Sequence, residues 1–541
     1  MKRNIYRFTA ICLLALHAAG AGAQNLDENV TVEGRYRPEY IPAERLPSLP
    51  ATVAPTPPES RLEFDRRGIA ADFAPDALNL PPTGWRTQKV YDSSRGYLDA
   101  SLGSWLNASL SAGYEAVRND ETNLRAWLQH NSTSLWRAWT DKIGARDADL
   151  RKRYDETIGA DLRHKFGTYG TLDADVRYHL GYFNYYSAFG TGEKYAPTQT
   201  LNDFSAALKW SAPQSDALNW NAYADLRHFA YREGERETTL RAGGEASRPL
   251  SRKSRIVATL DYSGVFNSIG NNVGRLRLRP GYDLTGTNMN LHAGAEIALV
   301  DGAKTRFRVA PDLRVSFREG IMALTAGIGG GTQLRTLAWQ HEMDYYANPY
   351  YGCTEATYSP IDANIGIRLN PGGEWTAGAE WRWRTTIDEA IGGWFMIPLI
   401  GIYDDARALI SPRLHGFSLA VNGGYEPSRY LGISVSGTWQ PQHGNTGYLN
   451  GLDRAQLTLE ASATSRPTDA LSLRLGYVLR AKRYLLPEEN FSRLDFSGSY
   501  RISDRMAVYA ELLNILNRRQ YLLPGLPLEG ITVMAGFQIS F

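Results

Sequence analysis

Several polar segments of the chain carry arginine at every second position, accompanied by glutamate or aspartate. Side chains of a β-strand alternate between two faces, so each group of arginines lies on one face of its strand. Guanidinium groups placed in this way can pair with carboxylates on neighbouring strands, which is the interpretation we favour. They could instead line a permeation path or seat an acidic plug. The residues concerned, which would line the lumen if the strands close into a barrel, are Arg306, Arg308, Arg314, Glu380, Arg382 and Arg384.

The other residues that could act in catalysis or bind a metal or a phosphate do not form a recognisable motif. The histidines are scattered, and His341-Glu342 lacks the second histidine that a zinc-binding helix needs. The glycine run 327–331 is followed by neither a helix nor a Lys-Ser/Thr pair, so it indicates a bend in a strand rather than a phosphate loop. We therefore expect no catalytic residues, no metal site, no cofactor and no enzymatic activity.

An aromatic and polar stretch, 344–352, is expected to form an extracellular loop. Its four rings, Tyr345, Tyr346, Tyr350 and Tyr351, could stack on sugars or pack against a surface protein. A loop that folds inward and occludes a pore would use the same residues. The sequence leaves these alternatives open.

The elements that position these residues show a period of two. In 531–541 the alternate positions from Ile531 to Phe541 are apolar, and the positions between them are mostly polar or small. The same alternation returns in 255–266, 305–317, 375–386, 454–464, 471–482 and 494–502. These segments are longer than the usual strands of soluble sheets, and their apolar faces are rich in Ala and Gly. The pattern favours a transmembrane β-barrel over a soluble β-helix or a series of β-sandwiches.

The length of the chain gives the expected number of strands. After Arg95 the sequence has no apolar run long enough for a membrane helix, whereas a barrel strand needs only about ten residues. Allowing roughly twenty residues for a strand and its connection predicts about 22 strands, within a range of about 20 to 24. Backbone amides in lipid must be paired, so the sheet over 96–541 is expected to close.

The N-terminal part differs in character from the rest. Residues 1–23 have the basic start, short apolar stretch and Ala-Gly-Ala cleavage site of a secretory signal, which predicts Sec-type export to the outer membrane. Residues 24–95 are rich in proline and are expected to form an extended periplasmic segment. Only Cys353 remains after Cys12 is removed, so no internal disulfide is expected. The nearly balanced charge gives no reason to expect nucleic-acid binding.

The C-terminal region resembles the end of a TonB-dependent receptor barrel. The resemblance rests on the stretch 509–518, then Tyr521, then Pro524-Gly525 and a closing strand that ends on Phe541. The opening of the barrel, 97–103 and 107–110, is similar to barrels of this group from Bacteroidetes-type bacteria. The resemblance implies that Phe537, Ile539 and Phe541 form the signal read by the barrel-assembly machinery, and that the outer face contacts outer-membrane lipid.

A β-branched patch near the mature N-terminus is similar to a TonB box. It spans 28–34 and includes Glu28, Val30, Thr31 and Val32, which could pair by strand addition with TonB or another periplasmic protein. Receptors of this family carry a folded plug between box and barrel, but here only a proline-rich stretch separates Gly34 from Arg95. The sequence therefore predicts a plugless barrel that mediates solute passage. The alternative is a non-transporting barrel that scaffolds a multi-protein complex at the outer membrane.

Overall fold

The computed structural model describes residues 94–134, 152–184, 198–213, 215, 217–268, 270–343, 345, 355–371, 373–397, 402–444, 455–483, 490–518, 520–523 and 526–541. These residues form almost entirely β-strands. In chain order the strands are β1 (Gly96–Gly103), β2 (Ala108–Arg118), β3 (Thr122–Ser134), β4 (Lys152–Lys165), β5 (Thr171–Asn184), β6 (Thr198–Ser211), β7 (Asn219–Tyr231), β8 (Arg236–Ser251), β9 (Ser254–Asn267), β10 (Val273–Thr285), β11 (Met289–Asp301), β12 (Arg306–Glu319), β13 (Met322–Arg335), β14 (Glu355–Leu369), β15 (Trp375–Ile397), β16 (Ile402–Ser428), β17 (Leu431–Trp439), β18 (Gln442–Gly444), β19 (Ala455–Ser465), β20 (Leu471–Arg483), β21 (Phe491–Ser503), β22 (Met506–Leu513), β23 (Tyr521–Leu523), β24 (Leu526–Pro527) and β25 (Thr532–Ser540).

The strands close into one antiparallel barrel of 22 strands. Each strand pairs with its neighbour in sequence, and β25 pairs with both β22 and β1. Where the ends meet, the Gly96 amide donates to the Phe541 carbonyl at 2.7 Å, and the Phe541 amide donates back at 3.0 Å. Closure satisfies the backbone groups that an open edge would leave exposed to lipid. The predicted fold class and the predicted number of strands are confirmed.

Three short strands, β18, β23 and β24, do not add to the 22 strands of the barrel. β18 pairs with β16 in the column that β17 also occupies, so β17 and β18 act as one strand interrupted at Gln440 and Pro441. Proline has no amide hydrogen to donate to the ladder, which accounts for the break. β23 and β24 form a separate two-stranded hairpin between β22 and β25.

The two faces of the wall follow the predicted alternation. On β9, Ile256, Leu260 and Phe266 are exposed apolar side chains, as expected where a barrel meets lipid. The intervening residues, including Asp261 and Ser263, are buried and point to the lumen. Similar exposed apolar rows cover β12, β14, β16 and β17. The exterior is therefore apolar and the interior is polar, as in known transmembrane barrels.

The two rims of the barrel differ in their connections. Tight turns such as 252–253, 320–321, 429–430 and 504–505 lie at the rim where β1 begins and β25 ends. The longer connections, including 336–354 and 514–531, lie at the opposite rim. In outer-membrane barrels the short turns are periplasmic and the long loops are extracellular. This assigns the rim with the long connections as the outer rim.

A helix and a bulge modify the regular wall near the outer rim. The register between β13 and β14 shifts between Gly329 and Gly331, so the predicted bend in the glycine run is confirmed. β13 then leads into helix α1 (Leu337–Met343), which lies in the connection to β14. Among the described residues, no helix has the length and apolar character needed to cross a bilayer.

Candidate functional site in the outer half of the lumen

Helix α1 folds into the outer half of the lumen. It contacts both β8 and β16, which have seven strands, β9 to β15, between them in the barrel wall. A seven-residue helix has little intrinsic stability in water, so its contacts with the wall must hold it in place. This short helix therefore depends on the barrel wall for its position.

An apolar cluster anchors α1 to the wall at the outer ends of β5, β6 and β7. Phe183, Leu201 and Phe229 project inward from these strands, and each is at most 1% exposed. Leu337 at the start of α1 packs among them, and Tyr345 lies just beyond the helix with its ring centroid 4.9 Å from that of Phe183. Burial of a side chain such as Leu or Phe contributes about 1.5–3 kcal/mol, so the cluster supplies much of the attachment.

Polar contacts fix the orientation of α1. The Leu337 amide donates to Oε2 of Glu237 at 2.6 Å, which satisfies one of the amides that a helix N-terminus leaves without an internal acceptor. The Tyr231 hydroxyl lies 3.0 Å from Nδ1 of His341. These groups are buried, and a buried polar pair is costly to break because each partner loses its hydrogen bond without gaining water.

Two further contacts join this segment to the wall at the lumen side. Arg227 donates to Glu342 at 2.9 Å while its other bonds hold Asp203 at 2.8 and 2.9 Å. The Tyr345 hydroxyl donates to Oδ1 of Asp155 at 2.6 Å. The α1 segment is therefore attached to strands β4, β5, β6, β7 and β8.

The connection between β22 and β25 enters the same region from another side. Leu528 packs against the apolar cluster around Phe183, and Thr133 of β3 donates to Glu529 at 2.5 Å. Asn514 holds the Glu529 carbonyl through a bond of 2.8 Å. Two outer loops therefore converge on the same end of the lumen, as expected of inward-folding loops that narrow a wide barrel.

Ion pairs connect neighbouring strands in other parts of the wall. Arg125 of β3 donates to Asp161 of β4 at 2.6 Å, and Arg277 of β10 donates to Asp261 of β9 at 2.8 Å. Arg277 also lies 3.5 Å from Glu296 of β11. Arginines such as these face a carboxylate on a neighbouring strand, so their charges are neutralised locally.

The six predicted lumen residues divide into separate groups. Arg382 donates to Asp362 of the neighbouring strand at 2.7 Å, and Arg384 lies 3.8 Å from the same carboxylate. Arg314 pairs with Asp312 at 2.9 Å. Glu380, in contrast, is exposed. Of these contacts, the pairs of Arg382 and Arg384 with Asp362 join neighbouring strands, whereas Arg314 and Asp312 lie on one strand. That the six residues line a lumen stays a prediction.

Arg306 and Arg308 behave differently from the other predicted arginines. Arg306 donates to Asp388, and Arg308 lies 3.5 Å from the same carboxylate. Both arginines are on β12, whereas Asp388 is on β15, three strands away in the wall. The sequence singled out the two arginines but gave no indication of their partner.

The other predicted site residues lie at the ends of the chain or in the long loop. Phe537, Ile539 and Phe541 lie on the outward face of the last strand, consistent with lipid contact; their role in assembly stays a prediction. Glu28, Val30, Thr31 and Val32 lie outside the described residues, as do Tyr346, Tyr350, Tyr351, the signal segment and the proline-rich segment. Tyr345 is 3% exposed and faces inward.

Sequence reasoning missed the wall residues that hold α1, namely Asp155, Tyr231 and Glu237. Their inward position follows from the dyad alternation, but nothing in their local sequence identifies a partner that is 100 to 190 residues away. Among the residues that the structure describes, no group of histidine, cysteine, aspartate and glutamate side chains is arranged to hold a metal ion.

Solved structures show how widely this barrel architecture occurs. No protein family model matches the chain, and no curated protein matches it. The siderophore receptor PirA from Acinetobacter baumannii has 14% sequence identity and a TM-score of 0.63, and the alignment covers 84% of this chain and 81% of that one. The ferric enterobactin receptor PfeA from Pseudomonas aeruginosa has 12% identity and a TM-score of 0.65, with 82% and 81% covered.

The FrpB iron transporter from Neisseria meningitidis is a third such neighbour, with 11% identity, a TM-score of 0.63 and coverage of 83% and 82%. Identities this low establish the likeness of folds rather than of ligands. Together with the apolar outer face and the closed sheet, these likenesses show that this chain has the β-barrel fold of the siderophore receptor, the ferric enterobactin receptor and the iron transporter.

Proposed function

We propose that this protein mediates the passage of a solute across the outer membrane through the lumen of its barrel. The observation that carries the proposal is a wide barrel with a polar interior whose outer end holds an attached helix, α1. A wide, permanently open pore would be harmful to the cell, and a helix held by a limited set of contacts can be displaced. The similar folds of the siderophore and iron receptors support the same function.

Conductance in a planar lipid bilayer tests this proposal directly. The full-length protein should give low conductance, and a variant with Leu337–Met343 replaced by seven Gly and Ser residues should give a clearly higher one. A matched control replaces the turn 466–470 at the opposite rim with Gly and Ser and should behave like the wild type. Equal silence of all three proteins at high protein load would contradict the proposal. Stoichiometric partners found with such silent proteins would favour the scaffold alternative.

The solute class proposed for the first test is a ferric siderophore. The support is limited to the fold, which this chain shares with a siderophore receptor and a ferric enterobactin receptor. Cells that lack their own enterobactin receptors and express this chain should take up radiolabelled ferric enterobactin. Conductance without uptake would support the proposal of solute passage but would exclude ferric enterobactin as the solute.

We also propose that the patch 28–34 recruits an energising periplasmic partner by strand addition. Such pairing uses backbone amides, so Thr31→Pro should abolish uptake because proline removes a donor and restricts the backbone. Thr31→Val keeps the β-branched shape and should retain uptake. Equal uptake by both variants would show that the patch is not needed.

A further inference from the structure

A small recess opens in the lumen wall near the outer rim, where β11, β12 and β14 come together. Its apolar floor contains Val300 and Ala356, which belong to a buried cluster with Val273. Its sides are formed by Lys304, Arg306, Arg308 and Tyr358. We call these residues, with their floor, the cationic recess. The cavity volume is about 30 Å³, which suits a carboxylate-sized group or about two water molecules.

The charges of the cationic recess do not balance. Lys304, Arg306 and Arg308 carry three positive charges, and among the described residues Asp388 is the carboxylate that pairs with both arginines. The Glu296 carboxylate also reaches the recess by accepting from Thr332, but it is shared with Arg277. Within the described ranges of the chain, Lys304 has no carboxylate within ion-pair distance. This excess of positive charge contrasts with the paired arginines elsewhere in the wall, such as Arg382 with Asp362.

The geometry around the recess is rigid, as a binding site requires. The Tyr358 hydroxyl donates to the Val309 carbonyl at 2.5 Å, which fixes the ring. The Arg308 guanidinium carbon lies 4.7 Å from the centroid of that ring, within the range of a cation–π contact. Thr357 donates to the backbone carbonyl of Asp388 at 3.1 Å, which holds Asp388 in the left-handed backbone region at a φ of 55°. Arg306, Arg308 and the Tyr358 ring are therefore held in place before any ligand arrives.

We propose that the cationic recess binds an oxyanion group, most suitably the carboxylate of a small organic anion. Guanidinium groups form strong charge-assisted hydrogen bonds to carboxylate oxygens, and the apolar floor can hold the attached carbon atoms. Asp388 acts as an internal anion that partly neutralises the recess and competes with the ligand. The proposal goes beyond solute passage, because binding is measurable without conductance.

Isothermal titration calorimetry on the full-length protein in detergent, at constant ionic strength, tests the recess. Acetate is the principal probe, and inorganic phosphate is the second. R308Q should weaken acetate binding about tenfold and K304Q less strongly, because Lys304 is the more exposed of the two. R314Q is the matched control, since Arg314 is on the same strand but is not part of the recess, and it should leave binding unchanged.

D388N gives a test in the opposite direction. Removing the competing carboxylate should tighten acetate binding, a gain that misfolding could not produce. Absence of heat with acetate, or no tightening in D388N, would overturn the proposal. Binding of phosphate alone would reject the carboxylate preference. If the wild-type protein conducts but does not bind acetate, the proposed recess is rejected and solute passage is retained. If it binds acetate but does not conduct, the recess is retained and solute passage is rejected.

Discussion

Tyr345 donates a hydrogen bond of 2.6 Å to Asp155, a residue 190 positions earlier in the chain. The same carboxylate also accepts from Arg153 and lies 3.0 Å from Nε2 of His179. The Arg153 guanidinium carbon lies 3.9 Å from the centroid of the Tyr345 ring. The Tyr345 ring and hydroxyl therefore attach the loop that carries α1 to Arg153 and Asp155 of β4. These two residues also contact each other, and Asp155 contacts His179.

Tyr345→Phe should loosen the attachment of this loop without disturbing the wall. The ring stays in the apolar cluster, while one bond to a charged acceptor is lost, at a cost of about 1.5–3 kcal/mol. We expect open events in bilayer recordings to become about tenfold more frequent. Tyr169→Phe is the control, because Tyr169 lies in an exposed turn at the opposite rim. Unchanged gating in Tyr345→Phe would show that α1 does not restrict the pore.

The two carboxylates bound by Arg227 should contribute very different amounts to stability. The Asp203 side chain is 5% exposed, whereas that of Glu342 is 57% exposed. Asp203→Asn should lower the free energy of unfolding by about 3 kcal/mol, because the buried pair loses a charge. Glu342→Gln should lower it by less than about 1 kcal/mol. Urea titration in lipid vesicles measures both, and equal losses would contradict the assigned burial.

The wall of the barrel was predictable from the sequence because each strand has one face in lipid. That contact imposes alternation over the whole strand, as in Ile256 to Phe266, and the pattern is independent of the partner strand. The position of α1 was not predictable, since it depends on Glu237 and Asp155, which lie far away in the chain. The tyrosines of 344–352 indicated a loop, but the same rings could stack on sugars, pack against a surface protein or fold inward into the lumen.

Gly331 occupies a position that a larger residue should not tolerate. Its φ is 131°, and a Cβ atom would lie 2.7 Å from the Glu296 carboxylate, which accepts from the Thr332 amide at 2.6 Å. Gly331→Ala should therefore cost about 1–3 kcal/mol of the free energy of unfolding. Gly476→Ala is the control, because a Cβ atom there meets nothing within 4 Å. Equal stability of the two variants would argue against the strained bulge.

Adjacent positions on β17 test the assignment of faces. Val435 is half-exposed on the apolar face, and Ser434 lies on the opposite face, 2.8 Å from the Ser462 hydroxyl. Val435→Arg should destabilise the barrel by about 2–4 kcal/mol because it places a charge in lipid, whereas Ser434→Arg should cost much less. Urea titration in vesicles provides the measurement. A larger loss for Ser434→Arg would invert the assigned faces.

The reciprocal amide bonds between Gly96 and Phe541 leave the sheet without a free edge. Most folded sheets can fray inward from an outermost strand, one residue at a time. Here unfolding must first break all the backbone hydrogen bonds between two neighbouring strands within lipid, where the released amides find no water. Slow, all-at-once unfolding and long survival in hot detergent are the expected consequence of this single closure.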